Sequence, residues 1–253
     1  MINPITVRGL EIGTGAPKII VPIVAATKEG ILEKAASFKD YPYDMVEWRV
    51  DFYENALDID SVLDVLKPLR EIIPKPLLFT FRTKKEGGEK AIDTDAYTAL
   101  NKAVAESGNV DFIDVEIFTG DDIVRENISN CHKAGVRVVG SSHEFARTPS
   151  QADMVYRLRK MQDMDADIPK IAVMPNCTQD VLALLAATAE MHEFYADRPI
   201  ITMSMKPMGV LSRLCGECFG SALTFGAVGQ VSAPGQIPVE KLAQTLEVLH
   251  NAL

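Results

Sequence analysis

A lysine stands in the middle of an apolar stretch, IPKIAVMP at residues 168–175. Lys170 has no oppositely charged residue within that stretch, and an ammonium group that loses its hydration favours the neutral amine. A neutral amine is a nucleophile that can form an imine with a carbonyl substrate. The alternative is that Lys170 extends along apolar surface and places its charge in solvent at the rim of the fold.

A histidine ends another β-rich stretch, VRVVGSSH at residues 136–143. Histidine is the side chain best matched to proton transfer near neutral pH. The other histidines are His132, His192 and His250, which all fall in helix-like stretches where no catalytic role is needed to explain them. We therefore interpret His143 as the candidate general base and acid.

Charged residues also interrupt other β-rich stretches. Glu47, Arg49 and Asp51 alternate along one of them, so all three face the same way. Because buried charges are costly unless paired, such a stripe indicates either an internal salt-bridge network or a substrate-binding surface. Asp114 and Glu116 are also two residues apart, and either can be explained by pairing with an arginine.

Two arginines and one loop add groups that could hold an anion. Arg82 ends the third β-rich stretch, and Arg213 lies in the segment after the seventh. A guanidinium can bind a carboxylate through two hydrogen bonds, so Arg213 is a candidate anion clamp. The loop GQVSAPGQIP at residues 229–238 is rich in Gly and Pro and offers the polar groups of Ser232 and Gln236. Such a loop could act as a lid over a site.

Cys215 and Cys218 have the C-x-x-C spacing of many metal and redox sites. A zinc site needs four ligands, and no second pair of this kind exists in the chain. We therefore expect both cysteines to be small buried side chains on a helix.

These residues lie on elements whose order predicts the fold. Eight β-rich stretches occur at residues 18–24, 44–51, 76–82, 110–117, 136–143, 168–175, 199–205 and 222–228. Amphipathic helical stretches lie between or after them, most clearly at residues 31–39, 96–107, 149–164, 180–195 and 239–253. Alternating strands and helices predict an α/β protein with a parallel sheet.

Eight such units close most naturally as a (β/α)₈ TIM barrel, which needs about 250 residues. An open doubly wound sheet is the alternative, but the segment after the first strand reads AATKEG and lacks a glycine-rich phosphate loop. The alternation around residues 8–9 predicts a short N-terminal β-hairpin that covers the barrel floor. We expect one domain over residues 1–253, because no linker or repeat divides the chain.

Composition excludes several classes of protein. Hydrophobic residues make up 47% of the 253 residues and the net charge is −9, so the chain is neither disordered nor basic. Nucleic acids and anionic membranes attract clustered Lys and Arg, so neither is an expected partner. No signal peptide or membrane-spanning stretch is visible, and the expected location is the cytoplasm.

Seven segments together resemble one known family, the type I 3-dehydroquinate dehydratases. They are EWRVDF, LLFTFRTKKEGGE, SSHEF, DIPKIAVMP, ITMSM, GVLSRLCGECFGSALTFG and SAPGQI, in matching order and spacing. The resemblance runs from about residue 16 to the C-terminus. It implies a lyase of the shikimate pathway that dehydrates 3-dehydroquinate to 3-dehydroshikimate and water, with a (β/α)₈ barrel, a homodimer, no cofactor and no metal.

The resemblance also implies roles for individual residues. Lys170 would form an imine with the C3 ketone, His143 would remove the C2 proton and then protonate the departing C1 hydroxyl, and Glu86 would orient His143. The remaining residues would bind the substrate or order the pocket: Glu47, Arg49, Arg82, Met205, Arg213 for the substrate carboxylate, and Ser232 and Gln236 from the lid.

Two other functions stay open at this level. A class I aldolase would also use an imine-forming lysine, although VSAPGQI is not an obvious phosphate cradle for a sugar phosphate. A catalytically inactive barrel could instead bind a small carboxylate or regulate a partner, although the candidate nucleophile, base and anion clamp are all present. In each case we expect Arg49, Arg82, Lys170 and Arg213 to make the pocket locally cationic within an acidic protein.

Overall fold

The structure, a computed structural model, describes residues 2–229 and 235–253. Its strands are β1 Ile5–Val7, β2 Leu10–Ile12, β3 Lys18–Ile23, β4 Met45–Arg49, β5 Leu77–Thr80, β6 Phe112–Glu116, β7 Arg137–Glu144, β8 Ile168–Val173, β9 Ile201–Ser204, β10 Leu223–Ala227 and β11 Ile237–Pro238. Its helices are α1 Lys28–Ala36, α2 Ile59–Ile72, α3 Thr94–Glu106, α4 Asp121–Lys133, α5 Gln151–Asp163, α6 Thr178–Glu190, α7 Val210–Leu214, α8 Gly216–Phe219 and α9 Val239–His250.

Strands β3 to β10 form the predicted barrel. They pair in parallel and in chain order from β3 to β9, and β10 pairs with β3. Between β9 and β10 a bridge joins Ile200 to Ser221, and the Ala222 amide donates to the Ile200 carbonyl at 2.8 Å. The expected (β/α)₈ barrel is therefore confirmed, with the two-residue β11 added beside β10.

Helix starts follow local capping chemistry. The side chains of Thr27, Asp58, Asp93 and Ser150 each accept a backbone N–H from the first turn of the helix that they precede. These bonds satisfy donors that have no partner within the helix. The predicted helix at residues 180–195 differs in detail, because α6 gives way to a π-helical turn over Met191–Tyr195.

Alternation along the strands separates two sets of side chains. In β8, Ile171 and Val173 belong to the large apolar cluster between the strands and the surrounding helices. Ile168 and Ala172 belong to a second cluster inside the barrel. Since side chains in a strand alternate between faces, Lys170 points inward with this second set.

The interior is built in layers. The lowest layer is apolar and includes one buried residue from each of several strands: Met45, Leu78, Phe112, Val139 and Ile168. Two residues further along the same five strands stand polar side chains, namely Glu47, Thr80, Asp114, Ser141 and Lys170. The polar layer therefore lies directly above an apolar floor and toward the carboxyl ends of the strands.

The hairpin of β1 and β2 closes this floor, as predicted. Ile12 is fully buried in the interior cluster, and Ile5, Val7 and Leu10 pack against it. Arg8 at the turn pairs with Asp111 at 2.7 Å, which ties the hairpin to the start of β6. No helix in the described part of the chain is long and apolar enough to span a bilayer.

Ile12→Ala tests the role of the hairpin. It should lower the free energy of unfolding by about 2–5 kcal/mol, because it removes a buried side chain and leaves a cavity in the floor. Thr6→Ala, at an exposed position of the paired strand, is the matched control and should change stability by less than about 0.5 kcal/mol. Urea unfolding measures both, and equal losses would contradict the packing of the floor.

Candidate active site

A cavity of about 190 Å³ opens at the carboxyl ends of the strands, where barrel enzymes carry their active sites. Most of the predicted site residues line it: Glu47, Arg49, Arg82, His143, Lys170, Met205, Arg213 and Gln236. Glu86 lies behind His143 and contacts it directly. Ser232 falls outside the described residues, so its place in the site stays a prediction.

Lys170 is buried in the centre of the barrel, with only 3% of its surface exposed. Placement of its charge at the solvent-exposed rim, the alternative from sequence, is therefore wrong. Its Nζ donates to Oδ2 of Asp114 at 3.2 Å, lies 3.8 Å from Oε1 of Glu47, and stands 4.9 Å from the centre of the Phe225 ring. The neighbours of Lys170 in the sequence are apolar, but its neighbours in space are not, because carboxylates from β4 and β6 reach it across the barrel interior.

Arg82 shares the carboxylate of Asp114 with Lys170. Its Nη2 lies 2.7 Å from Asp114 Oδ2, and its Nη1 donates to Oε1 of Glu116 at 2.8 Å. Burial opposes a charged guanidinium, but the carboxylates of Asp114 and Glu116 outweigh it and hold the pKa of Arg82 well above its usual value. Asp114 and Glu116 thus pair with an arginine, and Asp114 pairs with the lysine as well.

Hydroxyl and amide donors fix these carboxylates further. Ser141 donates to Oδ1 of Asp114 at 2.5 Å and accepts a hydrogen bond from Arg82 at 3.0 Å. Glu116 accepts both the backbone N–H and the hydroxyl of Thr83, at 2.8 and 2.7 Å. Burial favours the neutral acid, but the charges of Arg82 and Lys170 and the Ser141 hydrogen bond hold the pKa of Asp114 below its usual value.

His143 and Glu86 form a second pair at the same end of the barrel. Oε2 of Glu86 accepts the backbone N–H of His143 at 3.0 Å and lies 2.9 Å from the ring Nδ1. Because this oxygen accepts the neighbouring amide, we assign the ring proton to Nδ1, which leaves the lone pair on Nε2. The ring of Phe145 stacks on the imidazole at 6.5 Å between centroids.

The protonation of this pair follows from burial and from nearby charge. Burial, together with the positive charges of Arg82, Lys170 and Arg49, lowers the pKa of His143 well below its usual value. Burial also raises the pKa of Glu86 to about 8, against the opposing charge of Arg82. The imidazole is therefore neutral at pH 7 and can accept a proton through Nε2.

The charged stripe of β4 divides between two tasks. Glu47 accepts the hydroxyl of Thr80 at 2.9 Å and faces Lys170, so it belongs to the buried centre. Arg49 makes two hydrogen bonds to the carboxylate of Asp51, both at 2.8 Å, and stacks on the Phe52 ring at 5.0 Å. Asp51 lies just after β4, in the turn Val50–Phe52, so its pair with Arg49 is a salt bridge of the kind expected. Arg49 also lines the cavity, and its role in substrate binding stays a prediction.

Arg213 approaches the cavity from the opposite side, on the short helix α7. Its Nη1 lies 3.8 Å from the sulfur of Met203, and burial lowers its pKa to about 10, so it stays charged at neutral pH. Met205 follows β9 and is anchored by its amide, which donates to the Val173 carbonyl at 2.8 Å. The pocket is therefore not simply cationic as expected, because Arg49, Arg82 and Lys170 each have a carboxylate partner.

Sequence reasoning missed the apolar walls of the cavity, which include Phe52, Phe145, Met203 and Phe225. Gly87 shows why one wall has its shape. It has φ +83°, and a Cβ at this position would stand 2.3 Å from the Phe145 ring. Only glycine lets the turn after Glu86 pass this close. The signal in the sequence was the Gly-Gly pair after that glutamate.

The cysteine pair lies outside the cavity lining. Cys215 is buried as expected, but Cys218 is exposed, so the prediction that both are buried is wrong. Within residues 2–229 and 235–253, no group of three or more His, Cys, Asp or Glu side chains could hold a metal ion.

Comparisons with known proteins agree with this geometry. A family profile described as Type I 3-dehydroquinase matches residues 19–252. The 3-dehydroquinate dehydratase of Escherichia coli O7:K1 is 57% identical over 252 residues, which is 99% of this chain and 100% of the relative.

Solved structures give the same result. The chain is similar to type I 3-dehydroquinate dehydratase from Clostridium difficile with covalently modified comenic acid, at 53% identity, a TM-score of 0.97 and full coverage of both chains. It is also similar to the enzyme from Enterococcus faecalis, at 45% identity and a TM-score of 0.91, over 97% of this chain and 99% of that one. The resemblance predicted from the sequence motifs is confirmed, and the chain belongs to the type I 3-dehydroquinase family.

Proposed function

We propose that this protein dehydrates 3-dehydroquinate to 3-dehydroshikimate and water through an imine on Lys170. The observation that carries the proposal is a buried lysine that shares one cavity with a neutral histidine held by Glu86. Dehydration beside a ketone requires a stabilised negative charge at C2, and an iminium at C3 supplies the necessary electron sink. This function makes the protein a lyase of the shikimate pathway.

The reaction begins when the neutral Lys170 amine attacks the C3 carbonyl carbon. One amine proton moves to the carbonyl oxygen in the carbinolamine, and the proton that the lysine ammonium gave up before the attack is also returned to that oxygen. Water then leaves, and the nitrogen of the resulting cationic iminium keeps one proton. His143 then removes the C2 proton through Nε2, and the electron pair moves toward the iminium to give an enamine. The covalent intermediate divides one difficult step into several easier ones.

Elimination and release complete the cycle. The enamine returns its electrons, the C1 hydroxyl departs, and His143 gives that hydroxyl the proton it took from C2. A water molecule then hydrolyses the iminium, which restores the lysine and gives the product its ketone oxygen. Glu86 holds the imidazole through Nδ1. Nε2 is therefore the ring nitrogen that serves both proton transfers.

The substrate is held by groups of complementary charge. Arg213 binds its carboxylate, which requires a cation inside an acidic protein. Arg49, Glu47 and Arg82 bind ring hydroxyls or order the pocket. Met205 forms part of the wall, and Gln236 approaches from the segment before β11. Ser232 is proposed to act with Gln236 on the same substrate.

The oligomeric state, the location and the domain organisation remain proposals. We propose a homodimer and a cytoplasmic location because the chain belongs to the type I 3-dehydroquinase family. A single functional domain over residues 1–253 is supported by the continuous ring of strands from β3 to β10.

Lys170→Ala should abolish covalent chemistry. Borohydride added with 3-dehydroquinate should reduce the imine of the wild-type protein to a stable adduct, which peptide mass analysis places on Lys170. The variant should give no adduct and lose about 10⁴-fold or more in kcat, as happens when a covalent nucleophile is removed. Lys84→Ala, at an exposed position outside the cavity lining, is the control and should keep both properties. Turnover by the wild-type protein without any adduct would contradict the mechanism.

His143→Ala should separate imine formation from proton transfer. The variant retains Lys170, so it should still form the adduct, while kcat falls by about 10²–10⁴-fold because the general base is absent. Stopped-flow assays of product formation, run beside the trapping experiment, measure the two steps. A wild-type rate in this variant would remove His143 from its proposed role.

Glu86→Gln should reveal the protonation of Glu86 through stability. The usual pKa of this carboxyl is 4.5 and the folded protein raises it to about 8. The folded state therefore binds more protons between these values, and wild-type stability should be lost as pH rises through that window. Glutamine cannot ionise, so the stability of the variant relative to wild type should increase from pH 5 to pH 8 in urea unfolding. A constant difference would show that Glu86 is ionised throughout.

A further inference from the structure

We propose that Asp114 is a further catalytic residue, whose carboxylate keeps the nitrogen of Lys170 protonated while that nitrogen is part of the imine. This inference rests on the proposed covalent mechanism. It assigns to Asp114 the task of making the imine a cation, because a neutral imine is a much weaker electron sink than an iminium.

The geometry places this carboxylate against the reacting nitrogen. Asp114 is fully buried, and its Oδ2 lies 3.2 Å from Nζ of Lys170. The same carboxylate is held by Arg82 at 2.7 Å and by the Ser141 hydroxyl at 2.5 Å. With three partners on two oxygens, the carboxylate cannot turn away when the lysine nitrogen becomes an imine.

Glu47 is the other carboxylate near the lysine, and its geometry is less favourable. Its Oε1 lies 3.8 Å from Nζ, and the same oxygen already accepts the hydroxyl of Thr80 at 2.9 Å. It therefore makes no hydrogen bond to the nitrogen, whereas Asp114 does. Glu47 also lines the cavity, where it is available to the substrate.

The other groups that face the lysine do not replace this carboxylate. The titratable groups that share its cavity are Glu47, Arg49, Arg82, Glu89, His143 and Arg213. The Phe225 ring lies against Nζ, and Glu86 and Glu116 stand behind this set. The arginines disfavour a second positive charge nearby, and His143 is neutral at pH 7. Asp114 is therefore the closest anion that compensates a cationic nitrogen within the described residues.

A carboxylate at this position opposes one step of the reaction, the attack on the ketone, and favours another, the removal of the C2 proton. Before the substrate binds, it accepts a hydrogen bond from Nζ of Lys170, and a lysine ammonium cannot attack the ketone until it loses a proton. After the imine forms, the nitrogen carries one N–H and a positive charge, and the carboxylate accepts this N–H and stabilises the cation. When His143 removes the C2 proton, the electrons of that bond form the C2–C3 double bond of the enamine, and the electrons of the C=N double bond return to nitrogen as a lone pair. The nitrogen keeps its one proton throughout.

These two opposite effects can be measured separately, as the pH dependence of trapping and as kcat. A merely structural role of Asp114 would not produce both. Asp114→Asn keeps the size of the side chain but removes its charge. Nζ then loses its nearest anionic hydrogen-bond partner, so the acid limb of borohydride trapping with 3-dehydroquinate should move to lower pH than in the wild-type protein. In the same variant, kcat should fall by about tenfold or more, because the imine is less often protonated when the C2 proton is removed.

Glu116→Gln is the matched control. It neutralises a buried carboxylate of the same network, which pairs with Arg82 but lies outside ion-pair distance of Lys170. In this variant, the acid limb of borohydride trapping should stay close to that of the wild-type protein. If the acid limb of trapping moves equally in both variants, the effect belongs to the network as a whole, and the specific role of Asp114 is overturned.

The remaining outcomes are also decisive. An unchanged limb in folded Asp114→Asn, or an unchanged kcat, would overturn the inference, while absence of any wild-type adduct would instead overturn the proposed function. If Asp114→Asn does not fold by circular dichroism, a crystal structure of the borohydride-reduced wild-type adduct decides the question. The lysine nitrogen is expected within about 3.5 Å of the Asp114 carboxylate, and a carboxylate turned away from it would contradict the proposal.

Discussion

One carboxylate shared by two buried cations holds the centre of this molecule together. Asp114 lies between Lys170 and Arg82, at 3.2 and 2.7 Å, with essentially no access to solvent. Buried charges are tolerated only when they are paired and their remaining hydrogen-bonding groups are satisfied. The network therefore requires β5, β6 and β8 to keep their register, since a slip of one residue would turn these side chains out of the barrel.

The rest of the barrel shields this layer of buried charges from water on one side and opens it to a cavity on the other. The apolar floor and the hairpin beneath it exclude water from below, which strengthens every electrostatic interaction above. The cavity opens at the carboxyl ends of the strands, where burial and the positive charges of Arg82, Lys170 and Arg49 leave the imidazole of His143 neutral and able to accept a proton. The two cations that Asp114 pairs, Lys170 and Arg82, thus also help to keep the base neutral.

The sequence was sufficient to predict the barrel, the hairpin and most of the cavity-lining polar residues, because alternation along a strand is visible locally. It could not predict the partners of Lys170, since Asp114 is 56 residues away in the chain and reaches it only through the strand register. The isolation of the lysine among apolar neighbours was therefore misleading. Exposure of Cys218 was missed for a similar reason, because a short helix gives too few residues to define its buried face.

Each turnover is proposed to pass through an imine on Lys170, and the origin of the product's ketone oxygen tests this most directly. Imine formation expels the substrate's ketone oxygen, and hydrolysis replaces it with an oxygen from solvent. In water labelled with ¹⁸O, mass spectrometry should find one solvent oxygen in the ketone of each 3-dehydroshikimate formed, well above the exchange measured without enzyme. Product that retains the original ketone oxygen would contradict the covalent mechanism.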